Sequence, residues 1–104
     1  MTHLQKEVLK KVEELTKYSK KTWNLDVQIT ISYNLDSANS VGQYTRSKKL
    51  ISLNPKLLEE YGNLYILDVV VHEFAHAVVA QKYPSGYIGR KRIMRIFKAI
   101  ISSS

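Results

Sequence analysis

Leu4, Val8, Val12 and Leu15 recur at i, i+4, i+8 and i+11, with lysines and glutamates between them. That spacing predicts an amphipathic helix over residues 3–21. Thr2 is its expected N-cap, although no acid stands three residues later. Trp23 and Leu25 lead into Asp26–Tyr33. There Val27, Ile29 and Ile31 alternate with Gln28, Thr30 and Ser32, the pattern of a half-buried strand. Residues 34–40, Asn-Leu-Asp-Ser-Ala-Asn-Ser, are turn-rich and predict a loop. Val-Gly-Gln-Tyr-Thr-Arg-Ser and Lys-Leu-Ile-Ser-Leu-Asn then predict two short strands joined by a basic turn. Asn54-Pro55 ends the second strand, Pro55 suits the first turn of a short helix, and Gly62 closes that helix.

From Leu64 the chain is apolar almost all round, up to a stop at Pro84 and Gly86. A helix of that kind belongs at the centre of the fold. The last segment, residues 89–101, predicts a second amphipathic helix. It places Ile93, Phe97 and Ile100 toward the core, with Met94 and Ile101 adjacent and Arg90, Lys91, Arg95 and Lys98 on other faces. The closing serines are expected to fray.

The 104 residues amount to one domain, 1–104, with enough chain for one hydrophobic core. There is no cysteine, which excludes disulfides, thiolate metal sites and cysteine nucleophiles within these residues. The start carries no apolar signal segment and no apolar run reaches membrane-spanning length. A protein of the cytoplasm, or a comparable compartment, is expected, without a membrane partner.

Charge changes the picture at one end. The net charge is +7, and none of the nine acids lies beyond Glu73. The remainder carries Lys82, Arg90, Lys91, Arg92, Arg95 and Lys98. Such asymmetry fits a polyanionic partner, DNA or RNA first, and equally a solvated basic helix face.

The candidate chemistry lies in the central helix, in Val-Val-Val-His-Glu-Phe-Ala-His-Ala-Val-Val-Ala, residues 69–80. His72-Glu73-Phe74-Ala75-His76 is an HExxH motif. Residues i and i+4 share a helix face, so both imidazoles can reach one metal ion, zinc by preference. Glu73 borders that face, where it can take a proton from an activated water. Burying two histidines and a carboxylate without partners costs several kcal/mol, and one metal satisfies all three. A zinc site of this kind needs a third protein donor. No His, Asp or Glu follows His76. Upstream, His3 and eight acids remain, none in a motif. Tyr83, Tyr87 and the Ser104 carboxylate are weak alternatives.

With these residues in view the chain resembles the SprT-like metalloprotease family, which includes Spartan. The resemblance runs from about residue 4 to 100. It rests on Trp23 before the Val-Gln-Ile-Thr-Ile strand, Val-Gly-Gln-Tyr, Lys-Leu-Ile-Ser-Leu-Asn-Pro, the apolar HExxH helix and Arg-Ile-Met-Arg-Ile-Phe. It implies an α+β, minimal zincin-like domain: a small antiparallel sheet packed against about three main helices, with HExxH on the central one. It further implies zinc on His72 and His76, Glu73 as general base, and protein substrates, DNA-associated ones among them. The family's third zinc histidine falls in a His-Gly pair before the last helix. Counting from Pro84 and Gly86, Ser85 stands there; counting back from Met94, Gly86 does. The family's optional zinc ribbon has no cysteines to form it.

Two functions stay open on the sequence. One is a zinc metallopeptidase attacking a peptide bond with metal-activated water, its substrate paired along an edge strand near Val41–Arg46. The other is a catalytically degenerate relative, binding metal weakly or not at all. It would act as a nucleic-acid- or protein-binding module through Arg90, Lys91, Arg92 and Arg95.

Overall fold

The computed structural model describes residues 2–84 and 89–103. Helix α1 spans His3–Trp23, followed by strands β1 (Thr30–Ser32), β2 (Gly42–Thr45) and β3 (Leu50–Leu53). Helices α2 (Pro55–Tyr61), α3 (Asn63–Lys82) and α4 (Arg90–Ser103) complete the order. The class is α+β, and the HExxH motif lies on α3 as expected.

Local chemistry accounts for the ends of these elements. The Thr2 side chain accepts from the Gln5 backbone N–H, and the Gln5 side chain accepts from the Thr2 N–H. This is a complete capping box, built with an amide where an acid was sought. Asn24 ends α1 in the left-handed conformation, its N–H returned to Lys20 and Ser19 carbonyls. Gly62 breaks the chain between α2 and α3 at φ 85°, a value that favours glycine.

The sheet is mixed rather than wholly antiparallel. Its order is β1-β3-β2. The short basic turn Arg46–Lys48 makes β2 and β3 an antiparallel hairpin, with Tyr44 opposite Ile51. The loop 33–41 carries the chain past β3, so that β1 pairs with β3 in parallel, Ile31 opposite Ile51. Periodicity sets which face of a strand is apolar, but a loop of this length leaves the partner open. Strand β1 is also shorter than the alternation suggested. Val27 is buried in the core, yet the backbone of Gln28 is paired with the Gln81 side chain on α3 instead of with a strand.

Helix α3 packs against α1, α2, α4, β2 and β3, the central place its apolar surface demanded. Val8 and Leu15 of α1, Ile51 and Leu53 of β3, Ile66, Val70, Phe74 and Val78 of α3 and Ile100 of α4 are all but sealed from solvent. On α4 the core residues are Ile96 and Ile100, with Ile93 and Phe97 half-buried. Met94 and Ile101, expected beside the core, are exposed at 50% and 53%. The buried face is therefore rotated toward Ile96. Ser102 and Ser103 belong to α4 rather than to a frayed tail, and the Ser103 hydroxyl donates to the Ile100 carbonyl. No helix among the described residues is long and apolar enough to cross a membrane.

Candidate metal centre

His72 and His76 stand one turn apart on α3, and their Nε2 atoms are 3.2 Å apart. With Glu73 they form a group whose ligand atoms all lie within 4.8 Å of one another. The separation tests the fit to a metal. Two nitrogens bound tetrahedrally at ~2.0–2.1 Å from zinc stand roughly 3.3 Å apart. The imidazoles thus already hold the spacing of two ligands of one ion.

The three side chains differ in exposure. Only Glu73 is buried, at 7%, while both imidazoles open to solvent. The expectation of a wholly buried trio is corrected accordingly. The motif lies along the margin of the packed face of α3, so residue 73 turns under β2 while residues 72 and 76 stay at the rim. Gly42 makes that arrangement possible. A Cβ there would stand 2.5 Å from Val69 Cγ1 and 3.5 Å from Glu73 Cγ, so β2 could not approach α3 this closely with a side chain at 42.

Burial raises the Glu73 pKa, an effect that the neighbouring His72 partly offsets. Burial also lowers the pKa of His76, and His72 lowers it further. Both shifts suit the group's chemistry: a carboxylate made a stronger base, and an imidazole kept neutral with a lone pair for a metal.

Two adjoining cavities flank Glu73. One, of about 540 Å³, lies between β2 and α3 and is lined by Gln43, Tyr44, Arg46, Glu73, His76 and Val79, among others. The other, of about 360 Å³, continues past Gly42 to Asn39, Tyr65, Asp68 and His72. Together they make a groove along β2, one of the two edge strands of the sheet, with the His-Glu-His group near its middle. Outside the groove lining, the Phe97 ring of α4 packs edge-to-face against both imidazoles.

Among the described residues no further His, Asp or Glu joins the group. His3 is remote in role, paired at 3.7 Å with Glu7 on the surface of α1. Ser85, the position matched to a third ligand, lies outside the described residues, as do Gly86 and Tyr87. Arg90, Lys91, Arg92 and Arg95 are all exposed on α4. Arg90, Lys91 and Arg95 line a shallow surface cavity with Met94 and Lys98, apart from the residues lining the groove.

Sequence reasoning missed Gly42 and Phe97. The glycine entered only as part of the Val-Gly-Gln-Tyr strand, with no role of its own. The phenylalanine was read as core, and its spacing from His72 and His76 carries no local signal.

The model of the SprT-like family matches residues 6–93, which takes in every element from α1 to the start of α4. No curated protein matches the chain, and no solved structure does. The chain belongs to the SprT-like family.

Proposed function

We propose that this SprT-like protein is a zinc-dependent endopeptidase in which His72 and His76 hold the metal and Glu73 is the general base. The observation that carries the reading is the 3.2 Å spacing of the two Nε2 atoms beside a buried carboxylate. A bound zinc ion supplies the Lewis acidity that makes water nucleophilic near neutral pH. The chain's own residues do the rest. Among the described residues no strand pairs with the outer edge of β2, so an extended peptide can pair with its backbone and lie in the groove with its scissile carbonyl over the histidines. Glu73 takes the proton from the attacking water and returns it to the leaving nitrogen. Its raised pKa makes it a stronger base toward that water than an ordinary carboxylate. Neutral His76 keeps its lone pair for the metal.

The test is metal content and proteolysis of the purified chain, with Glu73→Gln and Ser85→His beside it. The expected result is stoichiometric zinc and cleavage of an unfolded protein, both removed by chelator. Glu73→Gln is expected to keep the zinc and lose cleavage by 10²–10⁴-fold, the usual scale of a general base. If the unaltered chain holds no zinc and cuts nothing while Ser85→His gains both, the degenerate reading replaces this one.

The exposed cations of α4 support an addition: substrates that are bound to nucleic acid. Arg90, Lys91, Arg92 and Arg95 would contact phosphates and supply affinity without reading sequence. Neutralising all four should weaken DNA binding and flatten its salt dependence. Unchanged binding removes DNA from the proposal and leaves the peptidase intact.

A further inference from the structure

We infer that Phe97 is a positioning residue of the metal centre: its ring stands where a third imidazole would stand and props His72 and His76 in their chelating orientation. The inference rests on the zinc reading above and adds a residue from a different helix to it.

Three distances carry it. The ring centroids of His72 and His76 are 4.8 Å apart, those of His72 and Phe97 5.4 Å, and those of His76 and Phe97 5.0 Å. The rings form a nearly equilateral triangle. Three imidazoles bound tetrahedrally to one ion at ~2.0–2.1 Å have centroids roughly 5 Å apart, the same triangle. The third corner is filled by a ring with no donor atom.

The contacts are also reciprocal in their demands. Both Phe97 pairs are edge-to-face, with interplanar angles of 68° and 83°. Such pairs have a preferred geometry and add to stability beyond the area they bury. The imidazoles are otherwise exposed, and among the described residues the contact between the two rings is their one hydrogen-bond-range partner. Exposed histidines sample several rotamers, and only some of these place both Nε2 atoms on one ion. A ring against both reduces that freedom before the metal arrives.

Phe97 can hold this place because α4 is anchored one residue earlier by buried Ile96 and one turn on by buried Ile100. It lines neither cavity of the groove. It therefore packs on the imidazoles without lining the groove beside them.

The experiment compares the full chain with Phe97→Leu and Phe97→His. Leucine keeps an apolar side chain at the position, so the fold is expected to survive, which a circular-dichroism melt checks. Zinc and cobalt affinities are measured by chelator competition, with the cobalt absorption spectrum as the report on coordination. Phe97→Leu is expected to bind both metals 10–100-fold more weakly, the scale seen when a group orienting a metal ligand is lost. Phe97→His is expected to bind at least tenfold more tightly and to change the cobalt spectrum, since it puts a donor at the third corner. A merely structural role predicts no such gain. Unchanged affinity in a folded Phe97→Leu, or no gain in Phe97→His, overturns the inference.

Proton spectra of the metal-free protein separate this result from the zinc reading. If the unaltered chain binds no zinc, that reading falls alone. The imidazole signals then decide for Phe97. Fixed His72 and His76 side-chain rotamers that become averaged in Phe97→Leu uphold it, and identical rotamer populations in both proteins overturn it.

Discussion

Gly42 and Glu73 show how a single atom sets the centre. The space that a Cβ at 42 would need is already held by Val69 and lies against Glu73. Gly42→Ala must push β2 away from α3 or displace Val69. Overpacking of this kind costs about 1–3 kcal/mol. The expected outcome is a lower urea midpoint with an unchanged slope, together with weaker proteolysis because Glu73 loses its cover. Glu73 itself has a pH signature in the metal-free protein. Its folded pKa lies above the ordinary value of 4.5. The stability it contributes is full below the unfolded pKa and is lost as pH rises through the folded one. His76 acts in the opposite sense, because its folded pKa lies below the ordinary 6.5. Its contribution is full above that value and is lost as pH falls through the folded pKa. Comparison with Glu73→Gln isolates the carboxylate. From about pH 4.5 upward, thermal midpoints of the metal-free parent should fall progressively behind those of the glutamine variant. Parallel curves would mean that Glu73 titrates as it does in the unfolded chain.

Among the elements, the junction of β3 and α2 does the most to shape the groove. The buried Asn54 amide nitrogen donates to the carbonyls of Ser37 and Ser40 at 2.7 and 3.2 Å. Its carbonyl oxygen accepts from the Lys56 and Leu57 N–H groups at the start of α2. Its backbone N–H donates to Val41 at 2.8 Å. One side chain thus caps a helix and ties down the loop that delivers Asn39 and Val41 to the groove. Asn54→Ala should cost roughly 2–4 kcal/mol, summing a lost cap and the two loop carbonyls it leaves unpaired. Asn54→Ser keeps a capping oxygen and should recover about 1 kcal/mol of this in urea unfolding. Equal losses would mean that the cap contributes nothing. At the other end of the groove, Gln81 of α3 bonds both backbone groups of Gln28 and the Tyr44 hydroxyl, so α3 holds the approach to β1 as well as β2.

At the scale of the whole molecule, the proposed zinc would be linked to stability. Helix α3 carries both histidines and also touches every other helix and two strands. A ligand that binds only the folded state adds stability by mass action, ~2.7 kcal/mol at a hundred times its dissociation constant. In a domain of this size that is a rise in melting temperature on the order of 10 °C. Zinc should produce it in the unaltered chain, and chelator should reverse it. An unchanged melting temperature across zinc concentrations would remove the metal from the proposal. Because α4 is anchored by Ile96 and Ile100 while its cations face outward, neutralising Arg90, Lys91, Arg92 and Arg95 should leave that melting temperature nearly unmoved.

The helices were legible in the chain because their signals are local: a period of 3.6, a threonine before it, a glycine or proline after it. The His-Glu-His group was legible for the same reason, since i and i+4 on a helix meet wherever the helix goes. The sequence by itself therefore determined α1, α3 and α4 and the two histidines that can share an ion. Strand β1's parallel pairing with β3, the burial of Glu73 alone under Gly42, and the placing of Phe97 across two imidazoles were decided by the tertiary structure. Each depends on contacts between residues distant along the chain. Their spacing is set by how the elements pack, and no local period records it.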